Sequence, residues 1–277
     1  MVTGGSGKAA PLFFLGTKNL LDVASITHEL FNRPIGHRIE YLPRVDSTNR
    51  WLHRLVQEGA AVGTVAYTDF QTAGRGRSGR SWTAPDGSSI LHSLALPKFP
   101  GGALDSVALL ALAIRSGVRS LLGLDAQLKW PNDVEIAGRK VCGILAETVS
   151  LPGQQIVIVG AGINCNFMPH AVGDVPGTAT SLQAELGKPI AREELAVAVL
   201  LAVNELYEAV QMNPDALFER WRSDLTTVGR EVVVADTSGT WSGWAEDVNR
   251  DGSLIVLRGD ASHHSVYAAD VSVRLAQ

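Results

Sequence analysis

Between Gln71 and Trp82 the chain reads Gln-Thr-Ala-Gly-Arg-Gly-Arg-Ser-Gly-Arg-Ser-Trp, with Gly74, Gly76 and Gly79 alternating with Arg75, Arg77 and Arg80. Glycine permits positive φ and close backbone approach, so amides can turn inward on a ligand. Each guanidinium offers a fixed fork of donors that fits carboxylate or phosphate oxygens. A loop of this kind can wrap an anion, although the same residues also suit a flexible surface turn or an Arg-Gly patch for RNA. A second segment runs from Leu128 to Val134 and continues from Gly138 to Glu147. Pro131 cannot donate to a central ladder, Asn132 and Asp133 favour local turn bonds, and Gly138 supplies the next reversal. Lys129, Lys140 and Asp133 are thus expected around a hairpin of two short strands. Taken alone, two such lysines are more often solvated charges than reactive groups.

These two segments, together with Val45-Asp46-Ser47-Thr48-Asn49 and Gly160-Ala161-Gly162-Ile163-Asn164-Cys165-Asn166, resemble the biotin protein ligases, also called biotin-acetyl-CoA-carboxylase ligases. Counted as Val45–Asn49, Gln71–Trp82, Lys129–Asp133, Arg139–Glu147 and Gly160–Asn166, five motifs stand in that family's order over most of residues 41–167. The resemblance implies ATP-dependent activation of biotin to biotinyl-5'-AMP, then transfer of biotin to one lysine of a biotin carboxyl carrier protein domain of a carboxylase. It implies a biotin site of Ser47, Thr48, Asn49, Gln71, Arg75, Gly76, Arg77, Lys140, Gly143 and Gly162. Ser47 and Gln71 would bond the ureido ring. Arg75, Arg77, Trp82, Asn132, Lys140 and Asn164 would serve the nucleotide, Trp82 as a stacking surface and Asn132 at the polar edge of adenine. Lys140, Arg77, Asp133 and Lys129 are the implied catalytic groups. Mg²⁺ would bridge phosphates near Asp133, with its ligands unassigned. Lipoate ligation is a related alternative, and RNA binding through the Arg-Gly loop is the non-enzymatic one.

The chemistry accounts for these residue types. A carboxylate is a poor acyl donor to an amine, so it must first displace pyrophosphate from ATP, which brings two anions together. Fixed cations in a partly desolvated site offset that repulsion more strongly than water does. Displacement at phosphorus asks for positioning and charge stabilisation and needs no protein nucleophile. The loop from Ala73 to Arg80, rich in glycine and carrying three arginines, is expected to be mobile until an anion orders it.

Composition sets the frame. With 277 residues, 45% hydrophobic and 19% charged, the chain can bury a sizeable core. Its net charge of −4 and pI near 6.0 give no general attraction to nucleic acid or anionic membrane, so an anion site must be local. Cys142 and Cys165 lie in apolar runs without metal-ligand spacing and read as buried reduced thiols. The histidines are dispersed, and no zinc motif occurs. Gly4-Gly5-Ser6-Gly7-Lys8 fails as a P-loop because Val2 replaces the first glycine and Ala9 the magnesium-binding hydroxyl. No segment reads as membrane-spanning, and residues 1–18 read as a loosely ordered leader. A cytoplasmic enzyme is expected. About 40 residues precede the first motif, too few for the winged helix of the family's repressor members, so a monofunctional ligase without DNA binding is expected.

The elements that must hold these residues read as a mixed α/β (α+β) chain. Leu21, Ile26, Leu30 and Phe31 suggest a first helix, and Trp51, Leu52, Leu55 and Val56 share a face of a second, capped by Asp46 to Asn49. Extended segments are expected near 39–45, 64–70, 89–96, 126–130, 140–149 and 156–165. Residues 105–124 read as a partly buried amphipathic helix, and Leu195, Val199, Val203, Leu206 and Val210 mark a core helix over 191–212. Five short β-prone stretches follow, over 230–235, 240–248, 253–258, 263–268 and 271–275, separated by hairpin punctuation. They predict a small barrel. The resemblance implies a class II synthetase-like catalytic domain over 1–227, with a mixed sheet, and an SH3-like barrel over 228–277.

Overall fold

A computed structural model describes residues 20–172, 175–236, 239–267 and 272–275; the expected leader lies outside them. The elements begin with α1 (Val23–Glu29), β1 (Arg38–Val45), α2 (Thr48–Gln57), β2 (Thr64–Gln71), β3 (Ser89–Pro97) and α3 (Ala103–Leu122). They continue with β4 (Ala126–Lys129), β5 (Asp133–Ile136), β6 (Arg139–Leu151), β7 (Gln154–Asn164), α4 (Leu182–Leu186), α5 (Arg192–Met212) and α6 (Pro214–Ser223). The last are β8 (Arg230–Asp236), β9 (Gly239–Val248), β10 (Leu254–Leu257), β11 (His263–Val266) and β12 (Ser272–Leu275).

The main sheet has seven strands in the order β1-β2-β3-β7-β6-β5-β4. Its one parallel pair, β1 with β2, needs a crossover, and α2 supplies it; the remaining neighbours are antiparallel. Side chains alternate between the faces along each strand. One face carries Ile90 and Leu94 of β3, Cys142 and Ile144 of β6, and Val159 and Ile163 of β7, packed with α3 and α5 into the main core. The other face carries a smaller apolar cluster of Leu52 and Val56 on α2 against Ala95, Ile156 and Ile158. Beyond that cluster the second face turns polar and glycine-rich, which opens the trough described below.

The second sheet, ordered β11-β10-β9-β8-β12, is antiparallel. Val232, Val234, Ala245, Leu254 and Val256 bury its inner face in the main core. Polar ties reinforce the seam: Trp130 Nε1 donates to the Gly252 carbonyl at 3.0 Å, and Arg250 Nη1 meets the fully buried Asp105 at 2.6 Å.

Several local expectations need correction. α1 ends at Glu29, and Phe31 is 77% exposed instead of facing the core. Ser47 stands at the N-cap of α2 without a side-chain cap bond. Asp46 instead accepts from the Ser47 amide and holds Arg54 through both oxygens, while Ser47, Thr48 and Asn49 are buried. The hairpin around Pro131 contains a separate strand, β5, between β4 and β6. α6 was not foreseen, although Asn213 caps it and Pro214 opens it, a recognised start signal. In α3 the charged heads are paired, Arg115 with Asp224 and Arg119 with Asp125. α5 reaches the length and hydropathy of a membrane span. Its apolar stripe of Leu195, Val199, Leu200 and Val203 is nevertheless core.

Candidate active site

The Arg-Gly loop leaves β2 and is pinned where α2 begins: Thr72 N donates to the Val45 carbonyl at 2.9 Å and Ala73 N to the Asp46 carbonyl at 2.8 Å. It then folds on itself as a narrow hairpin, with Trp82 N bonded to the Gly74 carbonyl at 3.0 Å and Gly76 N to the Arg80 carbonyl at 2.7 Å. The tip turns through Ser78 and Gly79 at φ of 53° and 72°, a left-handed pair that glycine makes cheaper. A Cβ on Gly74 would lie 2.3 Å from the Trp82 carbonyl oxygen, so this glycine lets the two legs approach. Gly76 differs, since a Cβ there would meet Arg80 only at ordinary contact, 3.4 Å. The loop borders a cavity of about 610 Å³ that is also lined by Arg50 and Leu145.

The sheet face beside this cavity, which forms the floor of the site, is built from glycines that do not themselves line the cavity. A Cβ on Gly162 would come within 2.4 Å of the Trp82 indole, and one on Gly143 within 2.9 Å of the same ring and 3.0 Å of Lys140 Nζ. The room these glycines leave is thus occupied by Trp82, which lies across β6 and β7. Gly160, next along the same face, makes room for Asn49, whose Oδ1 would sit 2.1 Å from an added Cβ.

Around this floor the predicted biotin residues form a hydrogen-bonded chain. Thr48 N donates to Gln71 Oε1 at 2.9 Å, Ser93 Oγ lies 2.8 Å from Thr48 Oγ1, and Ser93 Oγ donates to Asn49 Oδ1 at 2.6 Å. Asn49 Nδ2 donates to Glu147 Oε2 at 2.9 Å, and Arg75 Nη1 to Glu147 Oε1 at 2.8 Å. Ser93, Glu147 and Gly160 were not singled out from sequence. Glu147 ends the segment that runs from Gly138, whereas Ser93 lies in an apolar strand-like run whose composition gives it no local signal.

The cations converge from two sides. Lys140 Nζ lies 2.6 Å from Asp133 Oδ1 and 5.6 Å from the centre of a Trp82 ring. Arg77 Nη1 donates to Asn132 Oδ1 at 2.9 Å, and Asn132 is itself anchored to β6 through Ile144. Burial and the neighbouring Arg80 guanidinium push Arg77 below its ordinary pKa, with Asp133 acting in the opposite sense. Lys129 is engaged by the buried Glu135 at 2.6 Å instead of by the loop. Asn164 Nδ2 reaches the Thr180 carbonyl at 2.9 Å, while its Oδ1 is buried without a protein partner, as are Trp82 Nε1 and Ser89 Oγ. Buried polar atoms in that state are groups a ligand can satisfy. Among the described residues no cluster of three or more His, Cys, Asp or Glu side chains could hold a metal. Both cysteines are buried, and burial raises the Cys165 thiol to about 12, so neither is a nucleophile.

Comparison with known proteins agrees with this geometry. Residues 41–164 match the Biotin/lipoate A/B protein ligase family and residues 227–274 the Biotin protein ligase C terminal domain. The chain is 34% identical over 254 residues to a biotin-acetyl-CoA-carboxylase ligase from Paracoccus denitrificans, covering 83% of this chain and 98% of that one. It is 31% identical over 260 residues to the bifunctional ligase/repressor BirA of Bacillus subtilis, covering 91% and 79% respectively. The Aquifex aeolicus biotin protein ligase in complex with biotin and ATP superposes with a TM-score of 0.70 at 26% identity, over 86% of this chain and 99% of that one. Sequence, fold and the shared C-terminal module therefore agree, and the chain belongs to the biotin protein ligase family.

Proposed function

We propose that Arg75, Arg77 and Lys140 hold the biotin carboxylate and the ATP phosphates together, over a floor made by Gly143, Gly162 and Trp82. The chain is an ATP-dependent biotin ligase that forms biotinyl-5'-AMP and passes biotin to a carrier protein. One observation carries the residue assignment: Lys140 Nζ lies 5.6 Å from the centre of a Trp82 ring and 2.6 Å from Asp133 Oδ1, and Arg77 reaches from the loop to the adjacent Asn132. A biotin carboxylate oxygen attacks the α-phosphorus, the bond to pyrophosphate breaks, and the negative charge on the phosphorane oxygens rests against these cations. A lysine amine then attacks the acyl carbon, AMP leaves with the electron pair of the broken C–O bond, and the ammonium proton is lost. Asp133, paired with Lys140 at 2.6 Å, would accept that proton once phosphate draws Lys140 away.

Ser47, Thr48, Asn49 and Gln71 form the wall assigned to the biotin ring, Asn132 serves the polar edge of adenine, and Asn164 serves the nucleotide. Gly76, whose side-chain space the protein leaves unused, admits the carboxylate close to the backbone. Lys129, held by Glu135, has an electrostatic role at the margin. Mg²⁺ bound to the triphosphate would neutralise charge there. Such an ion takes one or two carboxylates plus phosphates and water, and Asp133 would be the nearby carboxylate. Closure of residues 73–80 over biotinyl-5'-AMP would exclude water and protect the loop from protease.

The specific acceptor in this reading is a biotin carboxyl carrier domain of a carboxylase. The division at residue 227, a cytoplasmic setting, and action without nucleic acid or membrane are parts of the same proposal, supported by the net charge of −4 and the confinement of clustered arginines to one loop. Biotin-dependent exchange of pyrophosphate into ATP by the purified chain tests the reading. Exchange with lipoate but not biotin, or none at all, refutes it, and operator retention in a gel shift refutes the DNA part.

A further inference from the structure

The hydrogen-bonded chain described above starts at Gln71, where the Arg-Gly loop leaves β2, and ends at Arg75 inside that loop. Glu147 is the link that closes it. One carboxylate oxygen takes Arg75 Nη1 at 2.8 Å and the other takes Asn49 Nδ2 at 2.9 Å, so a single side chain joins the clasp to the wall of the biotin pocket. Asn49 has little freedom to follow any other arrangement. Its Oδ1 fills the space beside Gly160 and accepts from Ser93, while Nδ2 also reaches the Leu145 carbonyl at 3.2 Å.

We propose that Glu147 is a positioning residue that orients Arg75 toward the ligand anion and couples that orientation, through Asn49, to occupancy of the biotin pocket. The proposal rests on the residue roles given under Proposed function. A guanidinium carries five N–H donors, and Glu147 engages one nitrogen, leaving the others for a carboxylate or phosphate. Arg75 and Glu147 side chains are 37% and 32% exposed, so solvent screens their attraction. What Glu147 contributes is direction: without it the guanidinium rotates freely and Asn49 loses its charged acceptor.

The experiment measures release of biotinyl-5'-AMP from preloaded enzyme after a chase with excess biotin, together with KM and kcat for pyrophosphate exchange and the melting temperature. Glu147→Ala is expected to speed release about tenfold and raise the biotin KM, with kcat changed by less than about threefold. Glu147→Gln retains shape but offers one acceptor to two donors, so it falls between Glu147→Ala and the parent, and it carries the test if Glu147→Ala fails to fold. In an Arg75→Ala background, Glu147→Ala should add nothing to the release rate. Additive effects of the two substitutions overturn the proposal. So does unchanged release in both Glu147 variants when Arg75→Ala alone frees the adenylate. If Arg75→Ala itself retains adenylate like the parent, the role given to the loop fails and this proposal with it. A parent without biotin-dependent exchange fails at the earlier step, which separates the two readings.

Discussion

From Val159 to Ile163, odd and even residues of β7 occupy different chemical worlds. Val159, Ala161 and Ile163 point into the main core and are almost fully buried among aliphatic side chains. Between them, Gly160 and Gly162 have no side chains, and the vacated room is taken by Asn49 and the Trp82 indole. β6 repeats the division, with Cys142 and Ile144 on the core face and Gly143 and Glu147 on the other. The core face gains from filling space with apolar atoms, whereas the site face forgoes that burial to bring polar groups from distant segments onto the sheet. Stability and chemistry are thereby assigned to opposite sides of the same backbone.

Substitutions on the two faces should separate these contributions. The largest effect is expected from Ile163→Ala, which leaves a cavity in the core and should cost about 2–5 kcal/mol in urea denaturation. The biotin KM of the folded fraction should stay within about twofold; a large KM change would show that the faces are not independent. Next comes His92, on the core side of β3, tilted against Tyr67 with ring centres 5.5 Å apart and no partner for either ring nitrogen. Burial lowers its pKa to about 4 from the ordinary 6.5. The unfolded chain therefore binds the extra proton first, so this stability is present above pH 6.5 and is lost as pH falls toward 4. The loss should amount to about 3 kcal/mol. His92→Leu should flatten the slope of stability against pH in that window, and an unchanged slope would remove His92 as its source.

On the site face, Lys140→Ala should reduce adenylate formation about 100-fold, equivalent to about 2.7 kcal/mol, with little change in melting temperature. Full pyrophosphate exchange by that variant would withdraw the role assigned to Lys140. Gly162→Ala is the mildest chemically but places a methyl group 2.4 Å from the indole. It should displace Trp82 and raise KM for ATP or biotin about tenfold, measured by initial rates; unchanged KM values would mean the indole position is unimportant.

Much of this arrangement was legible where residue type and spacing both constrain the answer. The Arg-Gly loop, the lysine hairpin and the apolar period of α5 each say what they are in a local window. Ser47 to Asn49 were harder, because the same short polar residues serve helix caps and polar pockets, and only the packing of α2 on the sheet decides between them. β5 is four residues long and is enclosed by turns, so its pattern is too brief to register. The pairing of Glu147 with Asn49 spans 98 positions in sequence and could not be read locally at all. α6 is a different case, since its start signal, Asn213 followed by Pro214, is local and legible in the sequence.

The pairing of β3 with β7, with Ser89 opposite Asn164, skips over a long helix and three strands. Pairing across so many residues carries a loop-closure cost that slows folding. The arginine loop precedes β3 in the chain, whereas the β7 glycine on which the Trp82 indole lies comes after it. Clasp and bench are contributed from opposite sides of that closure, and the two stand together only when β7 lies between its two neighbours.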